Sequence, residues 1–222
     1  MAIQTIIGLK RLDNAKQRLM PHLSPTGRRR LMLDMLRAVV AAVHDANLGP
    51  VALATSEPTA GALAVELRVA ILPDGDLPWN DGLVHALSSL VPPPPRVLYL
   101  AGDVPLVTAA ELHEFVAAAP ARGVCIARAR DAGTNALLVT PSGALRPAFG
   151  VSRSSEVHAA LARAAKLPCR VVDIHGLALD VDTLDDARDA GLLAHALTGT
   201  GRAPGDGSPG ARTRLQPPDI HG

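Results

Sequence analysis

Lys10, Arg11, Lys16 and Arg18 fall within nine residues, directly after a short isoleucine-rich run from Thr5 to Leu9, and no aromatic residue stands among them. Cations at this density beyond a buried strand suit a polyphosphate: arginine forks onto phosphate oxygens and lysine supplies a compact charge. The loop contains neither GxxxxGKS/T nor GxGxxG, so side chains rather than backbone amides would do the binding. Far along the chain, Asp180 and Asp182 flank Val181 in "LALDVDT". In an extended segment, residues two apart point to one side. Together with Asp103, which ends the apolar run of "LYLAGDVPL", they would form an all-oxygen site for a hard cation, Mg²⁺. Each feature also has a plainer use. A basic run suits a solvated face, Asp103 a turn or helix cap, and Asp182 a helix start before Thr183.

Two further loops carry polar groups. "GTN" at 133–135 precedes an apolar run, and "GVSRSS" at 150–155 leads into a helical pattern. The free N–H groups of that helix could hold an anion, although the same residues would serve as an ordinary serine cap. His158 on this helix reads as a packing or surface histidine rather than a base. Trp79, the only tryptophan, suits either the core or a ligand loop.

Something must bring these loops to one place. Continuous apolar runs at 4–9, 50–55, 68–72, 96–101, 123–128, 136–140 and 169–174 read as strands covered on both faces. Helical spacing follows Ser24-Pro25, with Met32, Met35, Leu36, Val39, Val40 and Val43 on one face. Shorter helices are expected at 80–90, 109–119 (opened by a Thr108/Glu111 capping box), 154–165 and 184–197. The alternation predicts an α/β fold, a Rossmann-like, mostly parallel sheet with helices on both faces. Ligands then gather beyond the carboxyl ends of the strands, where the polar loops fall.

Composition narrows the function. The 222 residues carry a net charge of +1, which does not suit a nucleic-acid binder. The charge is uneven: residues 1–50 hold eight Lys/Arg against three Asp, and residues 173–189 hold six Asp against one Arg. An anion site beside a cation site accounts for that split, as would two solvated helix faces. Cys125 and Cys169, in strand-like runs without a CxxC, are expected to be buried and reduced. No stretch reaches the roughly 18 apolar residues of a membrane span, and the first apolar run is too short for a signal peptide. A cytoplasmic protein without membrane contact is the expectation. Ten of the last 24 residues are Gly or Pro. The expected organisation is one domain over 1–198 and a dispensable disordered tail over 199–222.

Taken in order, "LKRLDNAKQRL", "WNDGL", "LAGDVPLVT", "GTNALLV", "FG…SS…H" and "LALDVDT" resemble the guanylyltransferases of coenzyme F-420 biosynthesis. The resemblance runs from about residue 4 to 195. It implies a fold of the nucleotide-diphospho-sugar-transferase type, a homodimer, and transfer of GMP from GTP to a three-carbon phospho-acid. It implies that Lys10, Arg11 and Lys16 meet the GTP phosphates, with Arg18 beside them and Asn80 near the nucleotide. Asp103, Asp180 and Asp182 would hold Mg²⁺. Thr134, Gly150 and Ser154 would hold the acid, although one extra residue before His158 also allows Arg153 to take the serine's place. The nucleophile, a phosphate monoester with a second pKa of about 6, is ionised at neutral pH and needs no general base. Another nucleotidyltransferase, of molybdopterin or sugar-nucleotide type, shares the basic loop and the strand-end aspartate but not "GTNALL". A non-catalytic nucleotide binder has no need of three metal carboxylates. Among 3-phospho-D-glycerate, phosphoenolpyruvate and 2-phospho-L-lactate, the longer and more polar loop ranks the first ahead, because it offers a partner to the extra hydroxyl.

Overall fold

The computed structural model describes residues 2–192. Seven strands form one sheet in the order β3-β2-β1-β4-β6-β5-β7. They are β1 (Gln4–Gly8), β2 (Val51–Ala54), β3 (Ala70–Leu72), β4 (Val97–Leu100), β5 (Gly123–Arg128), β6 (Thr134–Thr140) and β7 (Cys169–Val172). All seven expected strands are present, most of them trimmed at an end. Strands β1 to β4 are mutually parallel and β7 runs parallel to β5, whereas β6 is antiparallel to both its neighbours. The reason is connection length: only residues 129–133 separate β5 from β6, and a parallel crossover needs a dozen or more. Reversal makes β6 begin at the edge where β4 and β5 end. Thr134 and Asn135 therefore share an edge with the residues that follow β4.

Adjacent strand residues serve opposite faces. Ile7, Leu98, Leu138 and Cys125 join one apolar core, while Ile6, Tyr99, Leu137 and Val139 join the other. The first core is covered by α1 (Pro25–Ala46) and α4 (Ala109–Ala118), and the second by α3 (Trp79–Ser88) and α5 (Ser154–Ala164). The Ser24 hydroxyl accepts from the Gly27 N–H at 3.1 Å to start α1, and the Thr108/Glu111 capping box starts α4. Helix α2 (Ala60–Leu67) was not expected. Its buried Ala60, Leu63, Ala64 and Leu67 do follow helical spacing, but in an alanine-rich stretch with little polar contrast. Short helices α6 (His175–Ala178) and α7 (Leu184–Asp189) close the described chain.

Cys125 is buried as expected, but Cys169 is exposed. It lies on β7, the outermost strand, where an apolar run is covered on fewer sides than in mid-sheet. The expected last helix over 184–197 is shorter, ending at Asp189 with Ala190 as its C-cap; residues from 193, the whole 199–222 tail included, lie outside the described residues. Among the described residues no helix is long and apolar enough to cross a membrane.

Candidate active site

The chain passes from β1 outward to β2 and β3, then returns to place β4 on the other side of β1. This reversal opens a crevice beyond the carboxyl ends of β1 and β4, the usual ligand position in such sheets. The basic loop leaves β1 there, and Asp103 follows β4.

The loop is anchored by its leucines. Leu12 and Leu19 sit in two single 3₁₀ turns and are 2% and 0% exposed. The Leu12 N–H donates to the buried Glu57 carboxylate at 2.9 Å. The Arg28 guanidinium, buried on α1, donates to the carbonyls of Ala15 at 3.3 Å and Leu23 at 3.1 Å. Neither Glu57 nor Arg28 was singled out from sequence; both stand among polar residues with nothing to distinguish them.

Between these anchors the cations separate by environment. Lys10 is exposed, with Nζ 5.0 Å from the centre of the Trp79 ring. Trp79 packs on Gly8, where any Cβ would collide with the indole. The tryptophan thus meets both uses left open for it, a floor on the sheet and a wall beside the loop. Arg11 is exposed and loosely paired with Asp76 at 3.7 Å. Lys16 is turned inward, its side chain 6% exposed, bonding Asp103 and, at 2.8 Å, Asp182. Its backbone is left-handed (φ 50°, ψ 48°), a conformation that costs a non-glycine residue roughly 1–2 kcal/mol. Arg18 reaches the other oxygen of Asp182 at 3.2 Å.

Asp103 does lie in a turn after β4. Thr108 and Thr183 cap α4 and α7, so neither Asp103 nor Asp182 serves as a helix cap. The Val181 N–H donates to the Asp103 carbonyl at 3.1 Å, fastening the 180–182 segment to the end of β4. Asp180 accepts from the Asn135 amide at 3.2 Å, which also donates to the Leu177 carbonyl at 2.9 Å. Asn135 belongs to the "GTN" run but was not named as a site residue. Burial, and then the charge of Asp103, raise the Asp180 carboxyl above its ordinary pKa, against the Asn135 hydrogen bond. For Lys16 burial works downward, but Asp103 and Asp182 outweigh it and the net shift is upward. Two carboxylates thus hold one internal ammonium, with Asp180 close enough to Asp103 to feel its charge. Among the described residues, no three His, Cys, Asp or Glu side chains are placed so that together they could hold a metal ion.

The second polar cluster lies where β6 begins. Ser154 opens α5 with its hydroxyl 3.1 Å from that of Thr134, and both residues are buried. Gly150 takes a positive φ of 77° in the preceding loop, where glycine has no steric cost. Arg153 is exposed and bonds Glu156 rather than turning to Thr134. Of the two alignments, Ser154 is therefore the residue brought to Thr134. The Ser155 hydroxyl donates to the Ala132 carbonyl at 2.7 Å. The Asn80 amide, expected near the nucleotide, exchanges two hydrogen bonds with the Phe149 backbone, at 3.0 Å and 2.8 Å. It holds the 146–150 strap to α3.

His158 is fully buried, as a packing histidine would be, with Phe149 edge-on at 5.2 Å. Burial lowers its pKa to about 4, partly resisted by the Ser154 backbone. The folded-state value lies below the unfolded value near 6.5, so the neutral ring's contribution is complete above pH 6.5. It is lost as the pH falls toward 4, a loss of about 3 kcal/mol for this shift. Denaturant unfolding of wild type and His158→Asn across this window should show a steeper acid loss in the wild type; parallel profiles would contradict the shift.

Comparison with known proteins follows from this geometry. The model of the "Guanylyl transferase CofC like" family matches residues 3–200. A Sphaerobacter thermophilus protein named phosphoenolpyruvate guanylyltransferase is 34% identical over 202 residues, spanning 90% of this chain and 96% of its own. A Methanothermobacter thermautotrophicus protein named 2-phospho-L-lactate guanylyltransferase is 33% identical over 182 residues, spanning 82% and 80%. In fold, a candidate nucleotide-diphospho-sugar transferase from Desulfovibrio desulfuricans superposes with a TM-score of 0.72 at 14% identity, covering 86% of this chain and 87% of that one. The match over almost the whole fold, joined by relatives a third identical along most of their length, means that this chain belongs to the CofC-like guanylyl transferase family.

Proposed function

We propose that the protein transfers GMP from GTP onto the phosphate of phosphoenolpyruvate, releasing pyrophosphate. The observation that carries this reading is the meeting of the basic loop with Asp103, Asp180 and Asp182 at the sheet crevice, in a chain of this family. A phosphate oxygen of the acceptor forms the new bond to the α-phosphorus of GTP, and the bond to the pyrophosphate oxygen breaks. The electron pair leaves with pyrophosphate, and no proton need move at the attacking oxygen.

Lys10, Arg11, Lys16 and Arg18 would receive the triphosphate. Thr134, Gly150 and Ser154 would hold the acid. Asp103, Asp180 and Asp182 offer the hard oxygen donors a divalent cation takes, magnesium by this reading, although as placed they do not form a group of three able to hold one. Such an ion would supply charge neutralisation at the α-phosphate and the leaving group. The Lys16 ammonium now occupies the carboxylates that would hold it. Two cations sharing Asp103 and Asp182 would repel strongly in a half-buried site, so Lys16 is expected to swing onto the phosphates when both ligands bind. A homodimer and a cytoplasmic location belong to the same reading.

Phosphoenolpyruvate is placed first because the Sphaerobacter relative bears that name. The test is competition of phosphoenolpyruvate, 2-phospho-L-lactate and 3-phospho-D-glycerate at equal concentration with GTP and Mg²⁺, read by mass spectrometry. Guanylated phosphoenolpyruvate should dominate, and ATP should not replace GTP. A dominant glycerate product would reverse the acid assignment. No product from any acid would remove the transferase reading.

A further inference from the structure

We infer that His158 is a positioning residue for the acceptor: by holding one tautomer, it leaves one hydroxyl hydrogen of the Thr134–Ser154 pair free for an anionic oxygen of the phospho-acid. The inference rests on the reading of that pair as the acid site.

The Ala148 N–H donates to His158 Nε2 at 2.8 Å. An amide nitrogen can only donate, so Nε2 carries the lone pair, and in the neutral ring the proton sits on Nδ1. Nδ1 is 3.0 Å from the Thr134 hydroxyl oxygen. Nδ1 is therefore a donor toward Thr134, and Thr134 cannot give it a hydrogen. The Thr134 and Ser154 hydroxyls lie 3.1 Å apart and own two hydrogens. One is used between them, in whichever direction it runs. The other has no acceptor in the network.

The opposite tautomer would change the count. With Nδ1 unprotonated, Thr134 would donate into the ring and Ser154 into Thr134, and neither would have a hydrogen to offer. The Ala148 amide, within the strap that Asn80 ties down through Phe149, thus acts at a distance on the acid site. It claims Nε2 and so keeps the hydroxyl pair as a donor. A buried donor with no partner is costly, roughly 1–3 kcal/mol, which favours an anion there. The Thr134 and Ser154 hydroxyls would then discriminate an oxygen-rich acid from an apolar analogue.

The test pairs a spectroscopic readout with kinetics. Long-range proton–nitrogen correlation on histidine-labelled wild type should show the His158 proton on Nδ1; a proton on Nε2 would overturn the inference without any variant. Wild-type turnover is measured first, since its absence would refute the transferase reading rather than this one. His158→Gln, which places its amide nearer the Nε2 position, should raise KM for the acid about tenfold or more, with KM for GTP little changed. His158→Asn, whose amide can donate from the Nδ1 position, should recover most of that loss. Thr134→Val should raise acid KM similarly, and the Thr134→Val/His158→Gln pair should be no worse than Thr134→Val alone. Equal rises in both KM values, additive losses, or an Asn variant no better than Gln would show that His158 only packs.

Discussion

Asp103→Asn should lower guanylyl transfer by about a thousandfold or more, with the fold intact. The substitution keeps an oxygen for Lys16 but removes the charge a divalent cation would require. The backbone carbonyl of Asp103, which holds the 180–182 segment through Val181, is unaffected, so the loss would be chemical rather than structural. Asp180→Asn should behave alike. Asp182→Asn should cost less, because that carboxylate is 39% exposed against 24% for Asp103 and is shared with Arg18. Initial rates at saturating GTP, acid and Mg²⁺, beside melting curves, decide the matter. Activity within tenfold of wild type would end the metal assignment for Asp103.

Lys16→Ala carries the second large effect and has two readouts. KM for GTP should rise far more than KM for the acid, since the lysine's charge is matched to the triphosphate. Without divalent ions the variant should also be less stable. Removing the ammonium leaves Asp103, Asp180 and Asp182 facing one another, and breaking a buried pair costs about 3–5 kcal/mol. About 2 kcal/mol is expected here, because Asp182 keeps part of its solvent. Alanine suits the left-handed backbone no better than lysine, so no strain is relieved. Millimolar Mg²⁺ should restore most of the lost melting temperature. A rise confined to KM for the acid would mean that the site is oriented the other way round, and a melting temperature indifferent to Mg²⁺ would mean that the carboxylates do not gather a cation.

All seven strands and the principal helices were legible in the sequence because their signals are local. Continuous apolar runs and the caps at Ser24 and Thr108 need only neighbouring residues to act. The strand-end position of Asp103 and the pairing of Asp180 with Asp182 were legible for the same reason, and the ordered motifs carried the family. Helix α2 was missed because alanine hardly distinguishes a buried face from an exposed one. Cys169 was misjudged because an apolar run does not say whether its strand ends at mid-sheet or at the edge.

What the tertiary structure alone decided concerns partners far apart in sequence. Lys16 and Arg18 belong to one basic run, yet one ammonium is buried between two carboxylates while the guanidinium beside it stays in solvent. Leu12 and Leu19 impose that difference by anchoring the turns on either side. The Asn80 amide is occupied by Phe149, and Ser154 rather than Arg153 meets Thr134, because β6 runs antiparallel and starts where the other strands end. The His158 Nε2 accepts from one amide, that of Ala148, ten residues away across a loop. Residue types set the chemistry each side chain can offer, but its partner and its protonation follow from distances that only the folded chain creates.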